Sequence, residues 1–456
     1  MNNTFVFDLN RCVGCKACMV ACMNENDTIL PLNWRNISIY NDLRHPDLPV
    51  FFYSIACNHC SEAPCMKNCP ANAYTRDTET GAIIHHAQRC IGCKYCTWTC
   101  PYDAPKYNQN TKIIEKCNFC IERINSGKKP ACALNCPTGA LDYSEEKPKT
   151  NNITPAFVNK GIGPSIQLVP LRNVSGPEIT DPQIKASKKA DFNKLIKDPA
   201  TKINALKEWP LIVFTLLLPL ILSGYISKLL VSEQIIRNSF LPLFLGHPWF
   251  LIPTGLIGAL LSMAHLGNKN RAWRSILNLK NSWLSREIFF FSAMFAGIVF
   301  STFFYEVHII SILTIISGIL AIFSVDQVYH ISEKSTNIKI HSAWISMVFV
   351  LLLCFMLSKT ALFIIIVIKY FLYVFRKHNL PNKNRVQIIL FWVKSLFSFL
   401  IPLLLLIWHT NYPIIFVSIL AGEVIDRIEF YNKQEIITPQ KEINKHLKQK
   451  EEYARS

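Results

Sequence analysis

The sequence predicts two parts of different class in one chain of 456 residues: a small α+β head, followed by an all-α membrane domain of eight transmembrane helices. Three observations carry this reading. Sixteen of the seventeen cysteines fall in the first 136 residues, in four groups of four. Composition turns over after residue 208, where long apolar runs begin to recur. Between the two lies a polar, lysine-rich stretch. The boundaries read from these changes are 1–145, 146–208, 209–431 and a polar tail at 432–456.

The cysteine groups are Cys12-x2-Cys15-x2-Cys18-x3-Cys22, Cys57-x2-Cys60-x4-Cys65-x3-Cys69, Cys90-x2-Cys93-x2-Cys96-x3-Cys100 and Cys117-x2-Cys120-x11-Cys132-x3-Cys136. Three thiolates packed so tightly wrap one face of an iron-sulfur cube, while the fourth lies too far along to close the same cube and ligates a neighbour. Pro70, Pro101 and Pro137 end three of the groups, and Met23 stands in that place in the first. Bacterial two-cluster ferredoxins exchange their fourth cysteines between two such groups, and the internal repeat here suggests two such units, a ferredoxin-like tandem dicluster domain. The middle groups form one unit, with ligand sets Cys57, Cys60, Cys65, Cys100 and Cys90, Cys93, Cys96, Cys69. The outer groups are then inferred to give Cys12, Cys15, Cys18, Cys136 and Cys117, Cys120, Cys132, Cys22. Four [4Fe-4S] clusters and electron transfer are expected. A disulfide framework would need an exported chain, and no signal peptide precedes the first ligand at position 12. Zinc prefers paired CxxC knuckles, which only the fourth group resembles.

A helix needs roughly 20 mostly apolar residues to cross about 30 Å of hydrocarbon. Eight runs qualify, at about 209–229, 241–265, 287–305, 308–325, 341–358, 360–376, 387–408 and 412–428. In the connecting stretch, Gly161 to Arg172 reads as an apolar strand that packs on the head, and 183–207, rich in Lys and Ala, as an interfacial helix or a solvated tether. The tail from Asn432 reads as a fraying polar helix.

The net charge of +17 suggests nucleic acid until clusters are counted. Four oxidised cubes, each of net charge −2 with its thiolates, would leave about +9. Much of that remainder lies in loops on one face of the membrane half: Lys269, Arg271, Arg274, Lys280, Arg286, Lys334, Lys339, Arg376, Lys377, Lys383 and Arg385. The opposite loops carry chiefly Lys228, Arg237 and Lys359. The positive-inside rule makes the basic face cytoplasmic, and an even number of spans puts the head there.

Ionisable residues in spans are costly and call for a functional reading. His265, Glu287, Lys394 and Glu423 all belong to the basic face, where a quinol must lose two protons as its electrons leave. Taken singly, each is also read as an interfacial side chain reaching water. No haem is expected, because His247, His308 and His409 gather at one surface and His265, His330 and His341 at the other. Cys354 reads as a small core residue.

Residues 1–145 resemble the four-cluster iron-sulfur subunit of dimethyl sulfoxide reductase and its molybdoenzyme relatives, through the four groups and the run Cys90-Ile-Gly-Cys-Lys-Tyr-Cys96-Thr-Trp-Thr-Cys100-Pro-Tyr-Asp-Ala-Pro105. The membrane half resembles the eight-span anchor subunit of that enzyme, through Ser262-Met-Ala-His265-Leu-Gly267, Ser282-Trp-Leu-Ser-Arg-Glu287, and Gly422-Glu423 with Asp426-Arg427 and Phe430-Tyr431. The resemblance implies an anchor that oxidises menaquinol without haem, with His265 and Glu287 at the quinol site. It also implies that electrons enter at the third group's cluster and leave from the first group's to a separate molybdopterin subunit. Cys93, which is Trp in some relatives with a three-iron cluster, implies four irons here. The well-known enzyme of the family faces the periplasm, carried there by a twin-arginine signal on its catalytic subunit, in tension with the loop charges.

The expected function is therefore that of an electron-transfer and membrane-anchor subunit in the bacterial inner membrane. No residue is read as catalytic for a terminal substrate. A quinone-reducing module fed by a hydrogenase or formate dehydrogenase is the alternative, and a non-redox membrane protein with a zinc-binding regulatory head is the reading from another class.

Overall fold

The computed structural model describes residues 3–44, 48–146, 154, 156–158, 161–172, 196, 199, 203–233, 244–304, 307–330, 349–350, 359–378, 385–408, 412–432, 434 and 436–455. It forms two compact units, one of residues 1–200 with 436–456 and one of residues 201–435. The reading of 183–207 as an interfacial helix lies largely outside the described residues, as does the whole loop holding Lys334 and Lys339 and nearly all of the run 341–358.

The first unit alternates hairpins with cysteine groups. The strands are β1 (Thr4–Asp8), β2 (Asn36–Tyr40), β3 (Phe51–Ile55), β4 (Tyr74–Arg76), β5 (Ile83–His85), β6 (Lys106–Asn108), β7 (Ile113–Glu115), β8 (Leu141–Ser144) and β9 (Ile166–Val169). Pairs β2–β3, β4–β5 and β6–β7 are antiparallel hairpins, each between two successive groups. Their turns carry local chemistry: the Asp77 carboxylate accepts from the Thr80 amide at 2.8 Å and hydroxyl at 2.6 Å. The remaining strands form a sheet of order β8-β1-β9, in which β1 pairs antiparallel with β8 (Phe7↔Leu141) and parallel with β9 (Phe7↔Leu168). Strand side chains alternate faces, so Phe5, Phe7, Leu141, Ile166 and Leu168 are buried together. Strand β9 comes from the apolar run of the connecting stretch.

Short helices α1 (Ala17–Glu25), α2 (Pro64–Lys67), α3 (Tyr95–Thr99), α4 (Ile121–Asn125) and α5 (Ala131–Leu134) follow the cysteine loops. Helix α2 packs on α3 and α1 on α5, so the middle groups face each other and the outer groups do likewise.

In the second unit the helices are α6 (Trp209–Ser232), α7 (Pro248–Ala264), α8 (Trp283–Phe303), α9 (His308–Val328), α10 (Lys359–His378), α11 (Arg385–Ser395), α12 (Ile401–Trp408) and α13 (Tyr412–Asn432), with a π-helical turn at Leu396–Leu400 between α11 and α12. Among the described residues, four helices are long and apolar enough to cross a membrane: Trp209–Ser232, Trp283–Phe303, His308–Val328 and Phe391–Trp408. A fifth is gained if α7 and the 3-10 stretch Lys269–Ile276, bent by 103° at their junction, count as one span. Helices α10 and α13 do form over the expected sixth and eighth runs, but both carry several charges. Three of those charges are accommodated inside: Lys369 pairs with Glu423, and Asp426 with Lys394 of α11, all four buried. Helix α8 begins at Trp283, one turn before the expected 287, because the Ser282 hydroxyl caps it by accepting from the Ser285 amide. Helix contacts rest on small residues, and a methyl group on Gly318 would meet Leu222 at 2.6 Å.

The polar tail is helix α14 (Pro439–Arg455), and it belongs to the first unit. Thr438 precedes its first turn and accepts from the Lys441 amide. One narrow stripe, Ile443 and Leu447 with Ile437 ahead of the helix, is buried in the head's core. Helix α14 packs on β2, where the Tyr40 hydroxyl meets His446 Nδ1 at 2.8 Å.

Candidate functional site

One backbone device recurs in all four cysteine groups. The residue before the second cysteine has a positive φ in each: Gly14 (70°), His59 (41°), Gly92 (70°) and Phe119 (67°). This left-handed turn folds three thiols round one concavity. At Gly14 a side chain is doubly excluded, because a Cβ there would lie 2.5 Å from the Phe52 ring. In the first and third groups a second left-handed residue, Lys16 or Lys94, launches the following helix. The third and fourth cysteines of every group are four residues apart. In α1, which carries both Cys18 and Cys22, that spacing puts the pair on one face about 6 Å apart along the axis, so that one turn would link two neighbouring thiol sets.

The neighbours of each thiol define those sets. Burial raises the Cys12 thiol against the pull of the Gly14 N–H, and the thiols beside it are Cys18, Cys136 and Cys15. Cys22 is pushed up to about 12 by burial, opposed by Arg35, and the thiols beside it are Cys132, Cys120 and Cys18. Cys60 is raised by burial and by Cys57, Cys100 and Cys65. Cys93 is raised by burial and by Cys69 and Cys90, and Cys96 by burial and by Cys93, Cys69 and Cys90. The fourth cysteine of each group thus stands with the thiols of a partner group. Cys117, raised by burial, has both Cys22 and Cys57 among its neighbours, which joins the outer pair of sets to the inner pair.

A small cavity makes one set visible, with Cys57, Cys60, Cys65 and Cys100 on walls that are otherwise largely apolar, including Ala63, Ile83, Pro101 and Ile162. Among the described residues no three His, Cys, Asp or Glu side chains converge tightly enough for a single ion. Thiols spread round a hollow suit a cube better than zinc. Backbone amides already point at sulfur: Ala73 N–H on Cys69 (3.4 Å), Phe119 N–H on Cys117 (3.4 Å) and Leu141 N–H on Cys136 (3.3 Å). Burial would raise Cys136, but the Leu141 amide and the Thr138 hydroxyl outweigh it and lower this thiol. Burial raises the thiols of Cys12, Cys18, Cys22, Cys60 and Cys117, so metal charge would be required to keep these as thiolates.

In the membrane unit, His265 closes α7 and Glu287 stands in the first turns of α8, at the same end of two packed, consecutive helices. Glu287 is buried and within electrostatic reach of Tyr329 and Tyr431, whose hydroxyls meet at 3.0 Å. Lys394 and Glu423 are instead held in ion pairs with Asp426 and Lys369. Tyr329 is absent from the sequence reading because nothing in its local pattern separates it from an interfacial aromatic.

Residues 48–146 match the family model for a 4Fe-4S dicluster domain, and residues 203–382 match the DMSO reductase anchor subunit (DmsC). The B subunit of the anaerobic dimethyl sulfoxide reductase of Haemophilus influenzae is 38% identical over 149 residues, 31% of this chain and 72% of that protein. The chain belongs to the dimethyl sulfoxide reductase family. It joins in one polypeptide an iron-sulfur electron-transfer module that binds 4Fe-4S clusters and a membrane anchor module. The corresponding B subunit of Escherichia coli is 38% identical over 147 residues, 30% of this chain and 71% of its own length. The E. coli "Formate dehydrogenase-O iron-sulfur subunit" is 36% identical over 163 residues, covering 32% of this chain and 54% of that one. The first cysteine group lies outside the matched dicluster segment, and the last two apolar runs lie beyond the matched anchor segment.

Proposed function

We propose that this chain is the electron-transfer and anchor subunit of a dimethyl sulfoxide reductase-type complex, oxidising menaquinol and passing electrons through four [4Fe-4S] clusters to a separate molybdopterin-containing subunit. The observation that carries the proposal is the gathering of sixteen thiols in one unit, with each group's fourth cysteine among the thiols of a partner group. The ligand sets are Cys12, Cys15, Cys18, Cys136; Cys22, Cys117, Cys120, Cys132; Cys57, Cys60, Cys65, Cys100; and Cys69, Cys90, Cys93, Cys96. A bound cluster supplies reversible one-electron transfer. The protein would hold the clusters among mostly buried cysteines, with backbone amides aimed at the sulfurs of Cys69, Cys117 and Cys136.

At the quinol site, His265 and Glu287 accept the two hydroxyl protons as two electrons leave and the quinol becomes a quinone. The low-dielectric position of Glu287 beside the Tyr329–Tyr431 pair supports this role. Eight spans, with the head on the cytoplasmic face, are part of the proposal. Both junctions of the 201–435 unit lead into the same head, which supports an even number of crossings.

The test is anaerobic purification of the whole complex, followed by reduction with a menaquinol analogue or with dithionite. His265→Arg and Glu287→Lys should keep all iron and dithionite-reducible clusters but lose quinol reduction, and normal quinol reduction in both would sink the site. The likeness to a formate dehydrogenase subunit favours a second reading, with electrons flowing toward quinone. A co-purifying formate dehydrogenase or hydrogenase catalytic subunit would select it.

A further inference from the structure

Arg35, just before β2, is among the largest fully buried side chains, at 1% exposure. Its Nη1 donates to the Ser54 carbonyl (3.2 Å) and hydroxyl (3.1 Å). That hydroxyl lies 3.4 Å from Cys18 Sγ. The guanidinium carbon sits 4.6 Å from the centre of the Phe5 ring. Nε and Nη2 are buried with no hydrogen-bond partner in the protein. Among the described residues no carboxylate pairs with this cation, and the ionisable groups within electrostatic reach of it are the thiols of Cys132, Cys18, Cys117 and Cys22.

An arginine stays charged in a protein, and a buried charge without a countercharge is strongly unfavourable. The four thiols around it fall in two different ligand sets: Cys18 in one, and Cys22, Cys117 and Cys132 in the other. Lys116 makes the contrast. It is also buried near cysteines, but its Nζ already donates to the carbonyls of Ile83 and Cys117, the latter at 2.8 Å. Arg35, by contrast, keeps two buried donors unspent beside these thiols.

From this juxtaposition we infer that Arg35 is a shared cation between the two clusters of the first and fourth cysteine groups, offering Nε–H and Nη2–H to their sulfurs and holding both at higher reduction potential than they would have alone. Each gains one negative charge on reduction, and a fixed cation in a dry interior favours that gain. The two clusters of the middle groups, whose thiols are not among those reaching Arg35, lack this bias. Arg35 is a positioning residue in this account. The inference rests on the four-cluster reading.

The test is an anaerobic redox titration followed by electron paramagnetic resonance, on the complete complex, for wild type, Arg35→Met and Arg35→Lys. In Arg35→Met two clusters should become harder to reduce by at least about tenfold in equilibrium constant, about 59 mV for a one-electron couple, while the other two hold their potentials. Arg35→Lys should lie closer to wild type, which a purely structural brace would not predict. Four unchanged potentials in Arg35→Met overturn the inference. If that variant assembles only two clusters, iron content in Arg35→Lys decides: full iron supports the need for charge, and the same loss overturns it. Wild-type iron and sulfide short of four clusters would refute the underlying reading instead, a result visible before any variant is made.

Discussion

Helix α14 gives the prediction with the best-defined magnitude. Ile443 is 1% exposed and Leu447 4%, and they are one turn apart on the buried stripe. Replacing Ile443 with Ala removes buried methyl and methylene groups and leaves a cavity against the head, a change worth roughly 2–5 kcal/mol. If that energy is felt in docking, helix opening becomes about 30-fold to a few thousand-fold more frequent. Amide hydrogen exchange across 436–455 measures it, because exchange of protected amides tracks local opening. Gln449→Ala, on the exposed face, should change docking by less than about 0.5 kcal/mol. Amides of the 201–435 unit should be unaffected in both variants. Exchange in Ile443→Ala within about threefold of wild type would refute the claim that this apolar stripe docks the helix, since it implies less than about 1 kcal/mol.

Three further outcomes are expected. His446 has its ring held below the usual histidine range by burial and then by Lys450, so the folded state favours the neutral ring that accepts the Tyr40 hydroxyl. The unfolded tail takes up a proton first as pH falls through about 6.5, so α14 docking should be strongest above that pH and weaken below it, and His446→Gln should flatten the dependence in the same exchange assay. Lys394→Met removes the cation that pairs with buried Asp426 and should cost about 3–5 kcal/mol, a fall of roughly 6–20 °C in the membrane unit's unfolding midpoint in detergent. Lys394→Met with Asp426→Leu should recover most of that, and equal losses in single and double variants would show that the pair is not the cause. Cys65→Ser should remove about one quarter of the bound iron and sulfide, read by elemental analysis, and loss of all iron would contradict four separate sites.

The cysteine spacing made the head legible because metal ligation constrains sequence directly: Cys18 and Cys22 must be one turn apart if a helix is to serve two clusters. Hydropathy located α6, α8 and α9 for a similar reason, since hydrocarbon demands long apolar runs. What stayed hidden depended on partners distant in sequence. Lys369 reads as a charge interrupting an apolar run, and only the fold brings it to Glu423. Arg35 sits in a polar connection that looks solvated, with no local sign that β1, Ser54 and two cysteine groups close over it. The Ile443 and Leu447 stripe was readable as an i, i+4 pair behind a Thr438-Pro439 start, but two apolar residues in a highly charged helix fall below what periodicity can separate from a solvated tail.

The path of the chain also imposes an order on its own synthesis. Strand β9 ends at 169 and α14 begins at 439, with the entire membrane unit between them. At about 5–20 residues per second, translation leaves the nascent head waiting roughly 15–50 s for its final piece. During that interval Tyr40 lacks His446, and the seat for Ile443 and Leu447 stands open. A ribosome that stops within the membrane segments therefore leaves a head marked by an unfilled apolar seat, distinguishable by any chaperone or protease that reads exposed hydrophobic surface. Closure of the head records that the membrane part has been translated.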